Sequence, residues 1–158
     1  MNQDHIRQAT SQDACRIAEI EILGYRINFY PIFRDDSFYF GELQVASLME
    51  RHLTETGFLQ NTYVYDDGVV KGFIHLDGAE VKKLFVEPVL QGSGIGAALL
   101  QYAICEKNAS FLWALEKNAR AIRFYERHGF HATGDQKPEE GTTEYLIRLE
   151  RKKEFTER

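Results

Sequence analysis

Cysteine is almost missing from this chain, which has only Cys15 and Cys105. That excludes a disulfide framework and fits a reducing compartment, the cytoplasm. A basic excess is missing too. Nineteen Lys and Arg stand against 24 Asp and Glu, a net charge of −5, so a general nucleic-acid binder is not expected. No stretch approaches the ~18 consecutive apolar residues of a membrane span. The first residues carry Asp4, Arg7, Asp13 and Arg16 rather than the apolar run of a signal peptide. Neither a membrane nor a nucleic acid is therefore an expected partner. The five histidines, His5, His52, His75, His128 and His131, contain no pair at the spacing of a helical metal site, so no metal is expected. No repeat, linker or composition break divides the 158 residues.

What is present is an ordinary globular composition, 44% hydrophobic and 27% charged, in a chain long enough to bury about 70% of its extended surface. One domain is expected over residues 1–150, followed by a charged tail at 151–158. Hydrophobic periodicity gives an α/β pattern. A strand over residues 5–9 precedes Thr10 and Asp13, which have capping-box spacing. Ala14, Ile17, Ala18, Leu23 and Ile27 then follow at helical intervals. Residues 25–40 concentrate seven aromatics: Tyr25, Phe29, Tyr30, Phe33, Phe38, Tyr39 and Phe40. A second helix is predicted over about 40–55, before Gly57. Strands are predicted at 61–65, 69–76 and 79–86, linked by the Asp66-Asp67-Gly68 and Asp77-Gly78 turns. Further along come a helix at 94–107, a buried strand at 111–115 and a helix at 118–128 ended by Gly129. Strands at 130–133 and 144–149 flank a polar loop at 135–143. Cys15 and Cys105 fall on apolar helix faces and read as inert core residues, and Trp113 reads as packed in the buried strand.

The chemistry is concentrated between Lys82 and Ala97. A strand, a glycine-rich turn and a helix in succession make an anion site, because glycines let the backbone approach closely and the free N–H groups of the helix start point at the ligand. No Lys-Ser or Lys-Thr follows, so this is not a phosphate loop of the Walker type. Gly92, Gly94 and Ala97 satisfy a loose dinucleotide fingerprint, with Glu116 about twenty residues on. Against that reading, Glu87 to Gln91 intervene between strand and glycine, Pro88 interrupts the strand, and only about 60 residues remain for a second half-sheet. A glycine turn without a ligand is the other alternative.

The segment Leu84-Phe85-Val86-x-Pro88-x-x-Gln91-Gly92-Ser93-Gly94-Ile95-Gly96 resembles the acetyl-CoA motif of the Gcn5-related N-acetyltransferases. Asn118-x-x-Ala121-x-x-Phe124-Tyr125-Glu126-x-x-Gly129-Phe130 is similar to that family's second signature, and the interval suits one helix and one strand. The resemblance implies a single domain with a central mixed, mostly antiparallel sheet of about six or seven strands and about four helices. It implies acetyl-CoA as cosubstrate, bound through Leu84, Phe85, Val86, Gln91, Gly92, Ser93, Gly94, Ile95, Gly96, Asn118 and Tyr125. N–H groups near Phe85 and Val86 would polarise the thioester carbonyl.

In the same resemblance the acetyl group moves to a primary amine by direct attack in a ternary complex. Tyr125 would protonate the departing thiolate, since a phenol with a pKa near 10 keeps its proton at neutral pH. Glu80 is the expected base, because strand parity with Leu84 and Val86 would face it to the cleft; His75 is a second candidate. Tyr25, Arg26, Asn28, Phe29 and Phe40 are the expected acceptor residues. The acceptor is expected to be a small-molecule amine, with a peptide N-terminus or protein lysine as the alternative, and a homodimer is compatible with the sequence. A non-catalytic acyl-CoA sensor is the rival from another class; residues 25–40 filling the cleft would favour it.

Overall fold

A computed structural model describes residues 3–152. Seven strands form one sheet in the order β1-β2-β3-β4-β5-β7-β6: β1 Ile6–Gln8, β2 Thr62–Asp66, β3 Val70–Asp77, β4 Glu80–Val86, β5 Phe111–Leu115, β6 Phe130–Pro138 and β7 Tyr145–Arg151. Every neighbouring pair is antiparallel except β4 with β5. The helices are α1 Ala14–Asn28, the short α2 Tyr30–Phe33, α3 Val45–Thr54, α4 Ile95–Lys107 and α5 Ala119–Arg127, with a π-helical segment at Ser37–Glu42. Mixed sheet and helices match the expected architecture. The second helix is shorter than predicted because Leu43 and Gln44 turn extended between the π-helical segment and α3.

Two helical layers sandwich the sheet. On one face α4 buries Leu99, Leu100 and Ala103 against Ile74, Leu76, Val81 and Leu112. On the other, Ile17 and Ile20 of α1 meet Phe58, Val64 and Phe73. Each fully buried side chain of this kind contributes roughly 1.5–3 kcal/mol of transfer free energy. The aromatic segment forms a satellite core in which Tyr39 and Leu43 pack on Ala18, Ile22 and Leu48. At Gly24 a Cβ would lie 2.3 Å from Cδ1 of Phe85. Only glycine lets α1 settle this closely on β4, and that approach brings Glu21 and Tyr25 within reach of the strand.

Several expectations on packing are corrected. Cys15 and Cys105 are exposed. Trp113 is half-buried, with the Lys137 ammonium 4.2 Å from its ring centroid. The predicted loop at 135–143 is strand as far as Pro138, because a bulge between Ala132 and Gln136 absorbs Thr133 to Asp135 and pairing resumes beyond it. The final strand ends at Arg151, one residue into the expected tail; residues 153–158 lie outside those described.

The predicted capping contact forms. Asp13 accepts from the Thr10 backbone N–H at 2.8 Å. Arg7 joins Asp13 (2.8 Å) and Asp66 (2.9 Å), tying β1 to the start of α1 and to the β2–β3 turn. The Arg7 hydrogen bonds hold the Asp13 carboxyl below its usual range despite partial burial. A depressed folded-state pKa adds stability above the unfolded value, near 3.9, and that stability is lost as pH falls through the folded value. Asp13→Asn is therefore expected to cost about 1 kcal/mol at pH 7. In urea titrations the gap to wild type should close as pH falls through the folded-state value of Asp13; a gap that persists in acid would exclude the ion pair as its source.

Candidate active site

The sheet splits between β4 and β5. Their pairing holds only at Glu80 with Phe111 and Val81 with Leu112. Beyond that point β5 keeps β7 as partner to Leu115 and β4 keeps β3 to Val86, so the facing edges part. A cleft of about 1170 Å³ occupies the gap. The Glu87 N–H bonds Lys71 O at 2.9 Å. Alternation along the strand therefore turns the Phe85 amide toward β3 and those of Leu84 and Val86 into the cleft. Of the two expected donors near the thioester, Phe85 is thus replaced by Leu84. Its ring instead faces α1, edge-on to Tyr25 with centroids 5.3 Å apart.

The glycine loop lies at the open end of β4. Gly92 (φ 86°) and Gly94 (φ 91°) are left-handed, a conformation that disfavours any side chain. Gly94 caps α4, and the first intrahelical bond is Ala98 N–H to Gly94 O at 3.0 Å. The amides of Gly94, Ile95, Gly96 and Ala97 therefore have no carbonyl beneath them in the helix, and all four residues line the cleft with Gln91 and Gly92. Ser93 does not line it; its hydroxyl donates to Leu90 O at 2.5 Å and closes the turn. In a chain of net charge −5 this helix start is a local positive end.

Asn118 caps α5, accepting from the Ala121 N–H at 3.4 Å, and also borders the cleft. Two turns on, the Tyr125 ring packs edge-on against Phe124 and Phe130 at centroid separations of 5.2 and 5.8 Å and lines the same space. Burial raises its phenol well above the ordinary value, so its proton is retained across the neutral range. Among the described residues no protein group accepts a hydrogen bond from that hydroxyl.

At the other end Tyr25, Asn28 and Phe29 line the cleft as expected, whereas Arg26 and Phe40 do not. Arg26 donates to Tyr39 O at 3.1 Å and lies over the Phe40 ring, so both face away. Glu80 borders the cleft, but the parity argument for it fails. His75 pairs with Lys83 and Leu76 with Val81, leaving Lys82 as a bulge. The extra residue puts Glu80 on the α1 face with Lys83 and Phe85, opposite Leu84 and Val86. Lys82 Nζ lies 3.7 Å from its carboxylate. His75 is no part of the cleft lining. It sits 2.9 Å from the Thr62 hydroxyl and stacks on Phe58, and burial followed by the Lys83 charge pushes its pKa down.

The sequence reading missed Glu21. This fully buried carboxylate of α1 accepts from Lys83 Nζ at 2.7 Å, from His52 Nε2 at 3.0 Å and from the Tyr25 hydroxyl. Burial by itself would raise its pKa, but the His52 bond, the Lys83 charge and the Tyr25 bond outweigh it and hold the group below the carboxylate range. The signal was available: Glu21 lies four residues after Ile17 and four before Tyr25, a charge on the apolar stripe of α1.

A mixed seven-stranded sheet, split beside a glycine loop that opens into the gap, is the architecture of the N-acetyltransferase fold. The chain matches the family model of the acetyltransferase (GNAT) domain over residues 59–132, just under half its length. It is 34% identical over 71 residues to the peptidyl-lysine N-acetyltransferase YjaB of Salmonella typhimurium, covering 45% of this chain and 49% of that protein. To the peptidyl-lysine N-acetyltransferase YiaC of Escherichia coli it is 37% identical over 73 residues, covering 46% and 50%. The matches thus span about half the length of these curated relatives. The solution structure of apo YjaB from Escherichia coli superposes with a TM-score of 0.72 at 20% identity, over 92% of this chain and 95% of that one. The PaiA N-acetyltransferase of Thermoplasma acidophilum in complex with coenzyme A gives 0.63 at 18% identity, over 92% and 97%.

Proposed function

We propose that this protein transfers an acetyl group from acetyl-CoA to a primary amine of a small molecule by direct attack within a ternary complex. One observation carries the reading: a single cleft runs from the unpaired amides of α4, past the open edge of β4 at Leu84 and Val86, to the aromatic wall of Tyr25 and Phe29. At about 1170 Å³ it exceeds the usual ligand pocket of roughly 300–1,000 Å³. That leaves room for a long cosubstrate and an acceptor together, which disfavours a sensor whose acceptor side is plugged by its own aromatics.

Acetyl-CoA supplies an acetyl group activated as a thioester. The amides of Gly94 to Ala97 cradle the pyrophosphate, assisted by the helix dipole. Of the Leu84 and Val86 backbone N–H groups, about 6.6 Å apart along the edge, one donates to the thioester carbonyl, where negative charge develops on attack, and the other to the cosubstrate's arm. Tyr125 holds a proton for the departing sulfur. Glu80, at the closed end of the split, takes the amine proton through water. Glu21 is unsuited to that role, because three donors already occupy it and lower its proton affinity. Neither Cys15 nor Cys105 lines the cleft, in keeping with transfer without a cysteine-bound acetyl group. A cytoplasmic setting belongs to the same reading.

A second acceptor, the lysine of a peptide, is favoured by Asp35, Glu139 and Glu140 on the cleft lining and by the names of the curated relatives. Isothermal titration with acetyl-CoA, with NADH and NADPH alongside, tests the cosubstrate. Micromolar binding of acetyl-CoA alone is expected. Gly94→Val is expected to weaken it at least 100-fold, since a β-branched residue cannot hold the left-handed cap. Absence of acetyl-CoA binding, or a nicotinamide signal in its place, would overturn the reading. Thiol release with a panel of amines and lysine peptides then separates the two acceptors.

A further inference from the structure

The acceptor end of the cleft carries two cations that the transfer chemistry leaves without a task. Lys83 is one. Its ammonium is fixed to Glu21, which is 0% exposed, while 27% of the lysine side chain stays open, and it lies 5.4 Å over the Phe58 ring. Glu21 already receives bonds from His52 and Tyr25, so the carboxylate is fully occupied. The ammonium is held in place by one of its N–H groups and keeps two others for a partner in the cleft. Arg51, in the last turn of α3, is the second cation. It lines the same cleft, is exposed, and has no carboxylate partner among the described residues.

Glu21 is balanced by Lys83, and Arg51 lines the cleft without a carboxylate of its own among the described residues. The carboxylates Asp35, Glu139 and Glu140 on the same lining can receive an ammonium, so a substrate that carries both charges finds a partner for each. The surroundings are low in polarity, formed by the rings of Tyr25, Phe29 and Phe85, where a charge-assisted hydrogen bond counts for more than in water.

We infer that the acceptor carries a carboxylate beside its amine, as an α-amino acid does, and that Lys83 and Arg51 hold that carboxylate against the Tyr25–Phe29 wall. Glu21 is then a positioning residue: it touches no substrate and sets the place and orientation of the Lys83 ammonium. The amine part of this inference rests on the transferase reading, whereas the carboxylate subsite stands on geometry alone.

The test is a binding and kinetic comparison on the full chain saturated with coenzyme A. L-phenylalanine and L-tyrosine are titrated against phenethylamine and tyramine, and each N-acetylated form against its counterpart. At least tenfold tighter binding of the carboxylated member of a pair is expected. Arg51→Gln, on the exposed side of α3, should reduce that preference at least fivefold with acetyl-CoA affinity within twofold of wild type. Lys83→Gln should abolish the preference, and in turnover both effects should fall on KM rather than kcat. Equal binding within every pair, or a preference untouched by both variants, overturns the carboxylate subsite. Acetyl-CoA titration in parallel keeps the two readings apart. Cosubstrate binding without a carboxylate preference defeats the subsite alone, and a carboxylate preference without cosubstrate binding defeats the transferase reading alone.

Discussion

Tyr125→Phe is expected to lower kcat by about 10²- to 10⁴-fold, the range supplied by a positioned general acid, with acetyl-CoA affinity close to wild type. The substitution removes one oxygen and nothing else. The ring keeps its contacts with Phe124 and Phe130, and among the described residues no protein acceptor loses a partner, so an unfolding free energy in urea within about 0.5 kcal/mol of wild type is expected. This separates catalysis from folding more cleanly than truncation to alanine would. Burial also raises the phenol above its ordinary value. The acid therefore stays protonated as pH rises through 10, and an alkaline fall in kcat below that point has another source. A Tyr125→Phe enzyme with unchanged kcat would remove Tyr125 from the mechanism.

The largest effect on stability is expected at Glu21. Breaking a buried ion pair from one side costs about 3–5 kcal/mol, mostly because the remaining charge loses its partner. In Glu21→Leu the Lys83 ammonium, the His52 Nε2–H and the Tyr25 hydroxyl all lose their acceptor together. Since 27% of the Lys83 side chain is exposed and can recover some water, a loss near 3 kcal/mol is expected by urea unfolding at pH 7. Adding Lys83→Met should restore at least half of it, because an apolar pair of similar volume replaces the ionic one. The pH dependence has a definite sign. A carboxylate held below its ordinary value stabilises the fold above about pH 4.3 and ceases to do so as pH falls through its folded value. The deficit of Glu21→Leu should therefore shrink in acid; a deficit independent of pH would point to lost packing instead.

The elements read most easily from sequence were those whose own residues decide them. The Asp66-Asp67-Gly68 turn, the apolar run Phe111–Leu115 and the spacing from the glycine loop to Asn118 depend on local chemistry, and the structure keeps all three. The glycine loop itself was legible because left-handed φ at Gly92 and Gly94 leaves a compositional mark. What eluded sequence reasoning was set by partners distant in the chain. Arg26 and Phe40 were plausible acceptor residues until Tyr39 O claimed the guanidinium and the guanidinium claimed the Phe40 ring. Glu21 joins residues 31 and 62 positions away, His52 and Lys83. Cys15 and Cys105 sit on helices that are apolar in composition yet face outward at those two positions.

The bulge at Lys82 puts β4 out of phase with itself. On the loop side of that residue, odd and even positions have one assignment of faces; on the other side the assignment is exchanged. A residue-for-residue alignment with a relative whose β4 is regular is therefore trustworthy from Lys83 to Val86 and misleading at Glu80 and Val81. A carboxylate carried across by column there lands on the wrong layer of the sandwich. Deleting Lys82 would make the strand regular without exchanging its faces: Val81 stays opposite Leu76 beneath α4 and Glu80 stays on the α1 side, so a one-residue gap at Lys82 brings such an alignment back into phase.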